Sequence, residues 1–596
     1  MFPLSASSLA RCALSALALG ALSCHPSPGQ LVPKAPAAWV KQSDAHAKLL
    51  LDVMARFLPE RAASIGVEGI DDRILDLNPG FTARYLAATE EARTQLRARL
   101  AAEKHPRVRQ DLEILVKSTE EDIESTRLEE DKLLSAPNIV QTIFYAARAL
   151  LNAQIPDARR QSVAIRLRRY AGLEAGYRPL PVLAMDYVKQ RLKVPNLVMP
   201  LKARLENTLA TADALYKGIG ALCARFKIVG CEPAHAALKP HLDAYHDFLR
   251  KEVLPRARVD HHLPPEIYAS RLKQVGVDLP PAELAQLAHK AFDALQAQMQ
   301  ALAKKIMPRA TDYRAVIRAL KQKQVVGAAI LPLYEQRIRD LQDIVRREKL
   351  VSLPARPARI RLASEAESAA LPAPNMRPPR LLGNRGEQGT FVLPLRVPPP
   401  PGADPNKTLQ LDDFTFEAAS WTLTAHEARP GHEMQFASII ESGVSIARAV
   451  FAFNSTNVEG WGLYAEQIVF PFLPPEGQLI SLQHRLMRAA RAFLDPELQI
   501  GNMTPTEALR VLREDVVLSE AMAHQEVERY TFRAPGQATS YFYGYTRLRA
   551  LREEIEKLLG ARFVALAFHD HLLSLGLLPP ALQRTAMLEW ANGIER

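Results

Sequence analysis

Cysteine is scarce in this 596-residue chain: there are four, and beyond Cys12 and Cys24 only Cys223 and Cys231 remain. In an oxidising compartment that pair has two fates, a disulfide or two buried thiols. Past the N-terminal leader there is no run of roughly 20 uninterrupted apolar residues, so the sequence offers no membrane-spanning helix. A basic block with interleaved aromatic residues is also missing, and no fixed-period repeat is found. The formal net charge is +11, but Lys and Arg are scattered among Asp and Glu in segments such as EEARTQLRARLAAEK and RIRDLQDIVRREK. That pattern belongs to solvated helix faces. No nucleic-acid partner is expected, and the charge leaves only a weak attraction to anionic membrane surfaces.

What is present is an ordinary soluble composition, 48% hydrophobic and 24% charged, in a chain long enough for roughly two to four domains. Residues 1–24, MFPLSASSLARCALSALALGALSC, carry one Arg, an apolar run from Cys12 to Leu22 and small residues before Cys24, the layout of a signal peptide. Leu22, Ser23 and Cys24 suit a lipoprotein-type signal, although Ala21 stands where Leu is usual. The alternative is simple signal-peptidase cleavage near the same point. Both readings export the protein, to the periplasm or to a membrane-anchored position in the cell envelope with a lipid on Cys24. A Pro-rich linker, residues 25–39, follows.

Residues 40–350 show apolar positions at intervals of three and four, as in AELAQLAHKAFDALQAQMQALAKKI, and read as amphipathic helices. Between 351 and 402 the pattern changes to short strand-like segments, RIRLA and GTFVLPLRV, separated by Pro-rich turns. This small β element either offers an edge to an extended substrate or merely props the helices. Helical periodicity returns in 403–596. The fold class is therefore mainly α with a small β-sheet element.

Chemistry concentrates in TLTAHEARPGHEMQF and NSTNVEGWGLYAEQI. Two imidazoles and a carboxylate suit zinc, and a neighbouring Glu can take the proton of an attacking water. His426 and His432 are candidate ligands and Glu427 the candidate general base. Their interval of six residues turns the second His about 240° around a regular helix, too far for convergence. Pro430 and Gly431 lie between them, and a two-residue bulge there would bring the rings together. Glu459 is the expected third ligand. Glu466, about two turns further along the same face, is expected to orient a ligand or to replace Glu459.

HEARPGHEMQ followed by EGWGLYAE resembles the bacterial family known as domain of unknown function 885, whose pattern is similar to HEAxPGHxxQ and EGWALYAE. FLPERAASIGVEGIDDRILDLNPG, EVERYTFRAPGQATSYFYG and FHDHLLSLGLLPPAL extend the resemblance over most of the chain. The family in turn resembles gluzincin metallopeptidases, in which the third-ligand Glu immediately precedes a Gly-aromatic pair, and this implies Glu459. The resemblance implies one large zincin-like helical catalytic unit, residues 40–596, with the β element beside a deep active-site cleft. Tyr541, Arg533 and Tyr545 are candidates to donate to a developing oxyanion, with Tyr541 preferred. Gln537 matches the family's PGQA segment, where it holds substrate or positions a helix. Glu433 and Gln499 stand where relatives often carry His. His569 matches the FHD segment and is expected to make a structural hydrogen bond.

The expectation is a zinc-dependent hydrolase, foremost a peptidase acting on peptide substrates. Zinc is the expected cofactor, though a site of two His and one Glu also accepts cobalt or manganese. The rival is a noncatalytic envelope lipoprotein that binds peptide or cell-wall fragments in the same cleft. A hydrolase of nonpeptide amides is a third reading.

Overall fold

The computed structural model describes residues 37–397 and 409–594, so the leader, most of the Pro-rich linker and the proposed anchor Cys24 lie outside the described residues. The long helix Pro281–Ile306 illustrates how local sequence sets the architecture. Pro281 sits in its first turn with Glu283, and Lys304 and Lys305 occupy its last turn, all favourable to the helix dipole. Leu284, Ala288, Phe292, Met299 and Ala303 form its buried stripe. That stripe lies along the helix Pro475–Gln499, the most extensive pairing of elements in the fold. Phe292 meets Phe493 edge to face, with ring centroids 5.4 Å apart.

Helix Pro475–Gln499 is buried around its whole circumference from Leu479 to Leu494, although it carries His484, Arg485, Arg488, Arg491 and Asp495. It packs on Glu417–Glu427 and on Thr539–Leu559. The latter in turn crosses Ser455–Val469 so closely that a Cβ on Gly460 would lie 2.6 Å from the Gly544 carbonyl carbon. Only a glycine pair allows this backbone contact, and it brings Glu459 and Tyr541 to the same region. Asn454 starts the Ser455–Val469 helix, its side chain accepting from the Asn457 N–H at 2.8 Å. Among the described residues no helix is long and apolar enough to cross a membrane.

The mainly α fold includes a three-stranded sheet in the order β1-β3-β2, formed by β1 (Arg359–Leu362), β2 (Asn375–Arg377) and β3 (Thr390–Leu393). β1 is parallel to the buried β3 and β2 antiparallel, with Met376 opposite Phe391. A two-stranded ribbon pairs β4 (Arg396–Val397) with β5 (Leu409–Gln410). RIRLA and GTFVLPLRV thus supply β1, β3 and β4. The short helix Glu365–Ala370 and β2 were not foreseen in this region, nor β5 in the next. β2 has three residues between Pro374 and Pro378, too short for a periodic signal, and its flanking prolines suit an edge strand.

Cys223 and Cys231 form a disulfide with Cα atoms 6.2 Å apart, joining the end of helix Lys202–Arg225 to the start of Cys231–Phe248. Replacing both cysteines with serine is expected to lower the unfolding free energy by about 2–3 kcal/mol, the chain-entropy value for so short a loop. Denaturant melts with and without dithiothreitol test this. A wild-type midpoint indifferent to reductant would rule out a stabilising bond.

Candidate metal centre

His426 lies in the last turn of helix Glu417–Glu427, and His432 is the first residue of helix His432–Ser442. The expected bulge within one helix is therefore corrected to a full break: the chain leaves the helix at Ala428 and re-enters at His432. The ladder preserves a trace of the two extra residues, because Met434 N–H bonds to the Ala428 carbonyl, six positions back rather than four, at 3.4 Å. The break is pinned from two sides. Trp461 Nε1 donates to the carbonyls of Pro430 at 3.0 Å and Gly431 at 3.2 Å. Arg429 is buried, donating to Glu433 at 2.7 Å and to the carbonyls of Pro354 and Arg356. The Arg429–Pro430 peptide is cis.

This route brings the two imidazoles against Glu459. His432 Nε2 lies 3.3 Å and His426 Nε2 3.6 Å from Glu459 Oε2, and the ligand atoms of all three residues fall within 4.8 Å of one another. A tetrahedral ion with bonds of roughly 2.0–2.1 Å sets its donor atoms about 3.3 Å apart, so the two spacings to Glu459 leave room for a metal ion between these residues. Glu459 Oε2 is buried and has no hydrogen-bond partner among the described residues. A buried carboxylate oxygen left in this condition calls for a cation. Gly462 gives the rings room, since a Cβ there would lie 2.6 Å from His426 Cε1 and 2.9 Å from His432 Cε1.

Glu466, completely buried, accepts from His426 Nδ1 at 2.8 Å and from Thr422 Oγ1 at 2.5 Å. That bond assigns a proton of His426 to Nδ1 and points Nε2 at Glu459, where the neutral ring would offer its lone pair to a cation. Burial pulls His426 down, but the carboxylates of Glu459 and Glu466 beside it outweigh this and push its pKa up to about 9. Burial would raise Glu459, yet the two imidazoles beside it hold it well below the ordinary carboxylate range. At Glu427, burial wins and the pKa is raised.

His426, Glu427, His432 and Glu459 line a cavity of about 660 Å³. Tyr541 lies on its wall, its ring nearly parallel to that of His426 with centroids 6.2 Å apart. The Tyr541 hydroxyl accepts from Arg529 Nη2 at 2.9 Å, and Arg529 also donates to Gln537 Oε1 at 3.0 Å. Gln537 is on the wall too, with its Nε2 donating to Ser455 Oγ at 2.9 Å. Arg533 reaches the wall but is paired with Glu528 at 2.7 Å. Tyr545 is corrected: it is not on the wall, and its hydroxyl donates to Gln467 at 3.0 Å. The edge strand β2 contributes Asn375 and Met376 to the same cavity.

Glu433 is buried in its pair with Arg429, and Gln499 bonds to the Leu263 N–H and the Tyr530 carbonyl. Neither lines the cavity. His569 makes the expected structural bonds, to Tyr464 at 2.8 Å and to the Leu350 carbonyl at 2.6 Å. Sequence reasoning missed Trp461 as the clamp on the connector, and His484, Arg488 and Arg491 on the cavity wall. For the last three the signal was available as basic residues four and three apart along one helix.

The protein is mainly helical and brings two His and one Glu together in a group that could hold a metal ion. The chain belongs to the family described as bacterial protein of unknown function, DUF885, whose model matches residues 59–587. Among solved structures it is similar to a protein from Colwellia psychrerythraea, provisionally described as a lipoprotein: 18% identity, 93% of this chain and 99% of that one covered, TM-score 0.73. A chain from Shewanella oneidensis, also provisionally a lipoprotein and of unknown function, has 21% identity, with 93% and 100% covered and a TM-score of 0.67. At these identities the likeness shows the fold alone. No curated protein matches.

Gly431→Ala tests the break directly, because the new Cβ would lie 1.9 Å from the His426 carbonyl oxygen and 2.3 Å from that of Ala425. Overpacking against immovable backbone is expected to cost about 1–3 kcal/mol, read as a lower urea midpoint. An unchanged midpoint would mean the connector is looser than described.

Proposed function

We propose that the protein is an exported zinc-dependent hydrolase cleaving peptide bonds. The observation that carries this reading is the convergence of His426, His432 and an unbonded Glu459 oxygen on a cavity wall that also presents Glu427. A zinc ion held by those three residues supplies Lewis acidity toward a carbonyl oxygen and toward water. Glu427 takes the proton of the attacking water and delivers it to the leaving nitrogen. Glu466 fixes the tautomer and orientation of His426. Tyr541 accepts from Arg529 and so keeps its own O–H proton for an oxyanion. With Arg533 engaged by Glu528 and Tyr545 outside the wall, Tyr541 is the favoured donor. Gln537 and Arg529 position it.

The free edge of β2 supports a peptide substrate, since an extended chain can add to it by backbone hydrogen bonds. The Cys223–Cys231 disulfide supports an oxidising compartment, in line with the leader at 1–24. The lipoprotein descriptions of the two structural relatives favour a lipid anchor at Cys24.

Glu427→Gln is expected to retain one zinc per chain while losing roughly 10²–10⁴ in turnover of a mixed peptide library. His432→Ala is expected to lose the zinc, read by elemental analysis. A Glu427→Gln protein that still cleaves peptides would remove the general-base assignment. Zinc-loaded wild type that retains peptides uncleaved would favour the noncatalytic binding reading.

A further inference from the structure

The helix Pro475–Gln499 presents His484, Arg488 and Arg491 to the cavity that holds the metal-type centre, and Arg529 faces the same space from the segment beside Tyr541. Burying a guanidinium is costly unless carboxylates and hydrogen bonds compensate it. Arg491 is compensated by a two-pronged pair with Glu526, at 2.7 and 2.6 Å. Arg529 is held by Gln537 and Tyr541, and Glu526 lies 3.7 Å away.

Arg488 differs from both. Only 5% exposed, it makes one hydrogen bond among the described residues, a weak one at 3.3 Å to the His484 carbonyl, and its Nε, like Arg491 Nη1, has no partner there. Its nearest carboxylate, Glu466, is 3.8 Å away and already accepts from His426 and Thr422. Of the carboxylates around this wall, Glu526 is taken up by Arg491, Glu459 faces the two imidazoles and Glu466 accepts from His426 and Thr422, and among the described residues neither these nor Glu427 hydrogen-bonds to Arg488. Burial accordingly pulls the pKa of Arg488 down. The fork of N–H donors matches a carboxylate in shape and charge.

We infer that Arg488 is the specificity residue of a carboxylate subsite, so that the substrates are peptides carrying a carboxylate close to the bond that is cut. This deepens, and rests on, the hydrolase reading. The carboxylate has two sources, a free C-terminus or an Asp or Glu side chain. Arg491 and Arg529 raise the local positive potential while held by Glu526, Gln537 and Tyr541.

The test uses matched peptides: free C-terminus, amidated C-terminus, and amidated peptides with Glu or Gln at each position. Zinc-loaded wild type is assayed by kcat/KM, and the Glu427→Gln protein by equilibrium binding. Wild type is expected to prefer a carboxylate-bearing peptide by roughly 10- to 100-fold over its neutral partner. A preference for the free C-terminus identifies a terminal carboxylate, and one for Glu over Gln a side chain. Arg488→Gln is expected to collapse that ratio to about one, and Arg488→Lys, which keeps a cation facing Glu466, to restore part of it with zinc content unchanged. Equal treatment of charged and neutral peptides by wild type overturns the inference, as does an Arg488→Gln protein that keeps the ratio. The binding arm separates the two readings. A carboxylate preference in binding without cleavage by wild type would sink the hydrolase reading and leave the subsite standing.

Discussion

A carboxylate with no access to water, Glu466, is the constraint on which the centre depends. Isolated in the interior it would be intolerable, and three elements converge to satisfy it: Thr422 and His426 from one helix, Arg488 from another, and its own helix bearing Glu459. Burial would raise its pKa, but Arg488 and His426 hold it down at about 2. It is therefore ionised at neutral pH, and its hydrogen bond fixes the ring on which the proposed ion would rest. Electrostatic demand and the geometry of the candidate site are here one requirement.

The same economy governs the neighbouring wall. Glu526 is shared between Arg491 and Arg529, and burial raises its pKa less than the two guanidiniums lower it, leaving it at about 2. His484, between these groups, is driven down to about 3 by burial and by Arg488, so it remains neutral beside them. The cavity thus carries a cluster of fixed charges on one side of a lining that also includes Phe414, Phe436, Phe453, Met487 and Leu518.

The helical class was legible because stripes such as Leu284, Ala288, Phe292 and Met299 repeat at helical spacing. The three residues of the metal-type centre were legible because imidazole and carboxylate are rare neighbours of Pro and Gly in helical sequence. The manner of their convergence was not. A bulge and a complete break both take up two residues, and the outcome is decided by Trp461, Arg429 and the carbonyls they reach, which lie far apart in sequence. Tyr541 and Tyr545 could not be separated by motif alone. Four residues apart they share a helix face but sit about 6 Å apart along its axis, so one reaches the cavity and the other Gln467. β2 is invisible for a related reason, since three residues between prolines become a strand only when β3 is beside them.

Trp461 stands two residues after Glu459 on the same helix and grips the connector that delivers His432. The carboxylate and the second imidazole are consequently parts of one mechanical block, not independent arms that can swing apart. The backbone positions of the two donors are thus set together, and loosening Trp461 would disturb both at once.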